Sequence, residues 1–504
     1  MATLPAPVRP RTIETSAEQR RRPFGSNFAP QSQVYFLYFP FFLGVFGAAV
    51  WAFPTDFMFV LGALVGSLVG IYVLIDIIFR SAPLRLTTIY GMTILLGYNL
   101  GTFNTWLTLE RGTLTVAEVV ARDPSALGRA VGVCMVTAAV LFITGELFER
   151  PLFGSEFYLT FESGTLPIVF VTTLLLAAAY ASGKLSFMGL AADESGRINP
   201  ATQLILWWFA PAYAYTVCAA LNTTGPTRLI VRVIAVIQTF AMVPLGRRQF
   251  AFGLLLALIA TRLGRFRLRL PMYKKVLIGI VATVLITVAS LSFFYLRIAG
   301  WRAKVKGNIS LVEHLKTGYD LLQKTDPAEI LTLLGTNVAH RTFVIGFFSD
   351  LLEASQHSTP LLGKDLLYNL QLTVPSAISR DKFGILPYAP NGGGEEVMAN
   401  MQWGFSYIDE ANSLLTAGAL DFGFLGVLLY PLAFSFMLRF AAEWVQYAVP
   451  TKMAVIISFA YIYQTLQSEA EPVGYFLEIR CTILVVLVLY ILARVPLFSL
   501  RSLD

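Results

Sequence analysis

Charge is what this chain has least of: 14% of its 504 residues are Asp, Glu, Lys or Arg, against 56% hydrophobic residues. A soluble domain covers its core with polar side chains and carries about 25% charged residues, so this composition excludes an ordinary water-soluble fold. The mean hydropathy of +0.65 points the same way. Cysteine is scarce too. Cys134, Cys218 and Cys481 all fall in apolar stretches, with no Cys-x-x-Cys or Cys/His spacing, which excludes a disulfide framework and a zinc site. An Asp-x-Asp carboxylate motif is also missing, so neither metal nor cofactor is expected.

What is present is a series of apolar stretches of roughly 17 to 25 residues, the length at which a helix crosses about 30 Å of hydrocarbon. Only helices satisfy their own backbone in lipid over such stretches, so the expected fold is all-α and polytopic. About twelve spans are predicted, at 34–53, 57–79, 87–109, 129–149, 165–182, 201–221, 228–244, 248–263, 274–297, 412–440, 450–466 and 480–497. Ahead of them, residues 1–33 are rich in Pro, Arg, Ser and Gln without apolar periodicity, which predicts a disordered cytoplasmic tail. The first span is too long for a cleaved signal peptide.

Lys and Arg in the short loops set the orientation. Arg80 and Arg85, and the dense cluster Arg262, Arg265, Arg267, Arg269, Lys274 and Lys275, fall in loops of one parity, which places both termini in the cytoplasm. Much of the net charge of +7 is thereby assigned to the cytoplasmic side, an argument against nucleic-acid binding. The same parity puts residues 298–411 outside, as a periplasmic helical cap between spans at 34–297 and 412–504. Leu311, Leu315, Tyr319 and Leu322 recur there at helical spacing, and the run from Phe343 to Leu352 is apolar enough to lie on the membrane or re-enter it. His314, His340 and His357, the chain's three histidines, all lie in this segment. The two halves of the chain do not mirror each other, which counts against a transporter built from repeats.

Several polar residues sit where chemistry could use them. Arg247 and Arg248 fall at the outer start of the eighth span, facing the positive end of a helix dipole, a placement that favours a bound anion over simple snorkelling to headgroups. Arg480 is expected at the outer start of the last span in the same way. Asp76 and Glu146 each precede an arginine by four residues, Arg80 and Arg150, and are expected to pair with it. Asp421 lies inside an apolar span with no cation nearby in sequence, so it is either functional or buried against a distant arginine. In the cap, His340 beside Arg341 combines a proton acceptor with a bidentate anion ligand. Glu395, Glu396, Asp409 and Glu410 are further candidate bases.

Ala411-Asn412-Ser413-Leu414-Leu415 followed by Asp421-Phe422-Gly423-Phe424-Leu425-Gly426 resembles a signature of O-antigen polymerases and ligases. Arg341, Pro360 to Gly363, Val374-Pro375 and Arg380-Asp381-Lys382 are similar to the large-loop pattern of oligosaccharide repeat-unit polymerases. The resemblance covers roughly residues 335–430 and implies a GT-C-like glycosyltransferase of the bacterial inner membrane, involved in lipopolysaccharide or exopolysaccharide synthesis. It implies polyprenyl-diphosphate-linked oligosaccharides, such as undecaprenyl diphosphate carriers, as donor and acceptor, membrane lipids as surroundings, and room for a chain-length regulator as partner. The ligases carry a histidine just before the asparagine; Ala411 stands here, which favours a polymerase. On this reading His340 or Glu410 is the base, and Arg247, Arg248, Arg341, Arg480, Arg380, Lys382, Asn412 and Asp421 hold the substrate. A ligase, a lipid-linked oligosaccharide flippase and a non-catalytic scaffold are the rival readings.

Overall fold

The computed structural model describes residues 33–79, 83–110, 124–153, 165–181, 200–242, 247–263, 311–324, 326, 344–374, 394–405 and 411–494. All regular secondary structure among them is helical. Helices α1 (Gln33–Ala52), α2 (Asp56–Phe79), α3 (Leu86–Ile94) and α4 (Gly101–Glu110) open the fold, with a π-helical turn, Leu95–Leu100, joining the last two into one rod. Then come α5 (Pro124–Phe148), α6 (Thr165–Ala181), α7 (Pro200–Asn222), α8 (Thr227–Met242) and α9 (Arg247–Ala260). The cap segment contributes α10 (Leu311–Lys324), α11 (Ile345–His357), α12 (Lys364–Thr373) and α13 (Gly394–Trp403). The chain returns through α14 (Leu414–Ala448), α15 (Thr451–Thr465) and α16 (Pro472–Arg494).

These helices fall within a few residues of most of the apolar stretches read from the sequence; the stretch at 274–297 lies outside the described residues. Among the described residues, three helices are long and apolar enough to cross a membrane: Asp56–Phe79, Ser125–Phe148 and Leu414–Ala448. Large apolar side chains point outward along α1 (Phe39, Phe41, Phe42), α8 (Leu229, Val236, Phe240) and α16 (Leu484, Leu487, Val488), the surface that hydrocarbon rather than water would accept. Within the bundle, small residues set the closest approach. A Cβ on Gly47 of α1 would lie 2.9 Å from the carbonyl oxygen of Gly132 on α5, so these two helices pack backbone to backbone.

Two expectations are corrected. Glu146 pairs not with Arg150 one turn on but with the buried Arg85 across the bundle, because burial rewards a partner that is itself desolvated. Its neighbour Glu149 accepts hydrogen bonds from the amides of Leu86 (2.7 Å) and Thr87 (3.0 Å), capping α3. Helix α11, in the stretch expected to lie on the membrane or re-enter it, packs Ile345, Phe347, Phe348 and Leu351 into the core against α5 and α14. The tenth span is not one helix. At Phe422 and Gly423 the backbone leaves helical geometry, with Gly423 at φ +59°, and the backbones of Gly418 and Gly426 touch. Eight residues apart in a straight helix they would be separated by about 12 Å, so the chain turns back on itself. A short limb, 414–421, folds against a long limb, 424–448.

That hairpin leaves a space that the cap fills. Helix α15 has 15 residues, a rise of roughly 22 Å, short of the about 30 Å of a hydrocarbon core. The turn that follows it, 466–471, therefore ends inside the bundle, where Ser468 abuts Gly97 halfway along the rod of α3 and α4. Helices α12 and α13 come down onto this turn and onto the short limb of the hairpin, with α12 also packed along α16.

Candidate functional site

The floor of this space is polar. Asp421 ends the short limb, and its carboxylate faces the first turn of α12, where helical amides have no partner of their own. Oδ1 accepts from the amide of Asp365 and Oδ2 from that of Leu366, both at 3.0 Å, and the Tyr430 hydroxyl donates to Oδ2. The carbonyl oxygens of Leu420 and Asp421 accept from the amides of Leu361 (3.1 Å) and Leu362 (2.9 Å). Asp421 is thus neither unpartnered nor paired with a distant arginine. It locks the cap to the hairpin, and its charge is balanced by the α12 dipole.

Ser413 begins the short limb with a capping box: its Oγ accepts from the amides of Leu415 and Thr416, while the Thr416 hydroxyl accepts from the Ser413 amide at 2.6 Å. Tyr98, in the π-helical turn, shares a 2.6 Å hydrogen bond with the Ser413 hydroxyl. Next to it Asn412 is held through its amide nitrogen, which donates to Glu396 at 3.1 Å. Glu471, on the deep turn, accepts from the Gly394 amide and from the Asn412 side chain. Glu395 and Glu396 lie in the first turn of α13, both fully enclosed.

Four carboxylates, Asp365, Glu395, Glu396 and Glu471, thereby surround Asn412 at the base of the cap. None belongs to a membrane-crossing helix. Burial, then the proximity of Asp421 and Glu471, raises the Asp365 carboxyl well above its ordinary value. Burial, then Glu471 and Asp365, does the same to Glu395. Burial also raises Glu471. Asp365 Oδ2 accepts from the Asn369 side chain at 3.0 Å, but among the described residues Asp365 Oδ1, Asn412 Oδ1 and both oxygens of Glu395 have no hydrogen-bond partner from another residue. A carboxyl with a raised pKa and oxygens not held by another residue takes a proton more readily than an ordinary one, which is what a general base needs. No group of three or more His, Cys, Asp or Glu among the described residues could hold a metal ion.

The other expected site residues are distributed as follows. Arg247 and Arg248 occupy the first turn of α9, which has no acidic residue there. Arg480 is not at a helix start. α16 begins at Pro472, so Arg480 lies two turns inside it and donates to the Thr373 carbonyl at 2.7 Å, at the C-terminal end of α12. His340, Arg341, Arg380, Lys382, Asp409 and Glu410 lie outside the described residues. Sequence reasoning had Glu395 and Glu396 as unranked bases and missed Asp365, Asn369 and Glu471. The run Ser468-Glu469-Ala470-Glu471-Pro472 was the available signal: two acids before a helix-starting proline, in a short loop between apolar stretches.

Comparison with protein-family profiles, with curated proteins and with solved structures returned no match.

Proposed function

We propose that the protein is a polymerase of lipid-linked oligosaccharides, joining repeat units carried on polyprenyl diphosphate at the outer face of a bacterial inner membrane. The observation that carries this reading is Glu395: an enclosed carboxylate with a raised pKa and, among the described residues, no hydrogen-bond partner from another residue, next to Glu396, which holds Asn412 in the segment that resembles these enzymes. The acceptor hydroxyl would attack the anomeric carbon of the donor glycan. As the new C–O bond forms, the bond to the diphosphate breaks, the lipid diphosphate leaves with the electron pair, and the hydroxyl proton passes to Glu395. A diphosphate is already a good leaving group, so the remaining needs are alignment and charge stabilisation. Arg247 and Arg248, at a helix N-terminus without acidic neighbours, supply the latter, with Arg341, Arg380 and Lys382 as further cations of the cap. His340 and Glu410 are the alternative bases and Asn412 positions the acceptor.

The test is polymer formation by purified protein from synthetic lipid-linked repeat units. A general base contributes about 10²- to 10⁴-fold in rate, so Glu395→Gln should lower turnover by that factor while folding and binding persist. Wild-type turnover by a folded Glu395→Gln variant would remove Glu395 as the base. A ligase would instead pass the finished chain to a lipid acceptor outside the repeat-unit pool. The broken hairpin favours a second reading, a flippase for the same lipids, since transporters use interrupted helices beside buried ionisable groups. Cells lacking the protein separate the readings: single-repeat carriers accumulate on the outer leaflet without a polymerase and on the inner leaflet without a flippase.

A further inference from the structure

The four unpartnered oxygens at the base of the cap come from three separate segments: Asp365 Oδ1 from α12, Oε1 and Oε2 of Glu395 from α13, and Asn412 Oδ1 from the entry to the hairpin. Their residues are at most 5% exposed. Native folds rarely leave such atoms unpaired, and a group of them on one floor calls for a complementary ligand. All four are acceptors, and none can donate when the carboxyls are ionised. Among the described residues, the charged groups that act on Glu395 are carboxylates: Glu471, Asp365 and Glu396. A phosphate or a uronic acid would bring more acceptors and more negative charge to the same place. A metal ion would need several of these groups to close on one point, and among the described residues no three do. Acceptors spread over a floor match a ligand whose donors are spread likewise, as hydroxyls are around a sugar ring.

We propose that this floor, formed by Asp365, Glu395, Asn412 and their neighbours Glu396 and Glu471, is the acceptor subsite and selects a neutral, hydroxyl-rich sugar over an acidic one. The inference rests on the reading of the protein as an oligosaccharide polymerase and adds to it the charge class of the acceptor sugar. Ring hydroxyls donate to the orphaned oxygens. The Asn412 amide nitrogen stays committed to Glu396, which leaves its oxygen turned toward the ligand.

Full-length protein in lipid nanodiscs, presented to an array of bacterial repeat-unit oligosaccharides, tests this. The array should contain matched pairs in which the terminal neutral hexose is replaced by the corresponding uronic acid. Neutral members should bind at least about tenfold more tightly than their acidic twins, since like charges brought together inside a site are strongly disfavoured. At a pH above their raised pKa values, where the carboxyls are ionised, Glu395→Gln and Asp365→Asn each remove one negative charge, so there each should narrow that ratio, with folding checked by thermal melting. Equal binding of the twins, an unchanged ratio in both folded variants, or no binding of any array member, which is the outcome if ordered water alone fills the floor, overturns the subsite. Polymer formation from lipid-linked substrates by the same preparations is read separately. Polymer without charge discrimination sinks the subsite alone; absence of polymer from every lipid-linked substrate sinks the enzymatic reading whatever the array shows.

Discussion

Asp421 and Glu395 are both fully enclosed carboxylates, and they differ in what faces them. Asp421 receives two backbone amides of another helix and a phenol, whereas Glu395 receives only its own backbone amide and has three other carboxylates around it. From sequence, Asp421 stood out because it interrupts an apolar run, while Glu395 was one acid among several in a polar loop. The contrast reversed once the fold supplied partners, since hydrogen-bond satisfaction depends on segments more than 50 residues away. A pH dependence follows for Glu395, Asp365 and Glu471. Their native pKa values are raised from ordinary values of 3.8 for Asp365 and 4.5 for the glutamates. The native state therefore holds these protons more tightly than the unfolded chain. That stabilisation is complete below the ordinary values and is lost as pH rises through the raised ones. The melting temperature of detergent-solubilised protein should fall as the pH is raised above the ordinary carboxylate range, with a shallower fall in Glu395→Gln. A flat profile in the wild type would mean that the carboxylates find counter-charges in the free protein.

At the scale of elements, the hairpin of α14 carries the most specific prediction. Added methyl groups at Gly418 or Gly426 would strike the opposite limb's backbone, which cannot rotate away as a side chain can. Gly426→Ala should lower stability by about 1–3 kcal/mol and loosen the cap, because the Leu420 and Asp421 carbonyls that hold Leu361 and Leu362 would move with the limb. Chemical denaturation in detergent measures the first effect, and amide exchange at Leu361 and Leu362 the second. Unchanged exchange in a destabilised variant would separate hairpin from cap. Ser413→Ala, which removes the capping side chain and the bond to Tyr98, should cost about 1 kcal/mol. The apolar runs made the helices legible because hydrophobicity on every side has one solution in lipid. The break at Gly423 was not legible, since Asp-Phe-Gly inside an apolar run reads equally as a continuous helix until Gly418 and Gly426 are seen to meet. Arg480 failed for a related reason: the helix boundary was set by hydropathy at residue 480, eight residues after the proline that starts it.

For the whole molecule, the arrangement of charge gives two ends. Arg85, Glu146, Glu149 and Arg439 gather at one, with Arg439 donating to the Arg150 carbonyl at 2.9 Å, and the cap with the Arg129–Glu353 ion pair marks the other. On the proposed topology the first end is the cytoplasmic one. All three native cysteines are buried, so single cysteines can be introduced without removing them. In intact spheroplasts, an impermeant thiol reagent should label Gln356→Cys on α11 and leave Arg150→Cys unlabelled until the membrane is opened. The opposite pattern would invert the proposed topology. The depth of the turn 466–471 then has an electrical consequence. Tyr98 and Gly97, level with that turn, lie roughly 18 Å along the rod from its Leu86 end, near its middle. On the proposed topology, with the rod of α3 and α4 crossing the membrane, a proton reaching Glu395 from outside would cross part of the transmembrane field before it binds. Moving a unit charge through the whole field is worth about 2.3 kcal/mol per 100 mV, and a site halfway down experiences about half of it. An energised membrane, positive outside, would drive that proton inward and raise the apparent pKa of the floor, so the state of the site would follow the voltage of the cell as well as its pH.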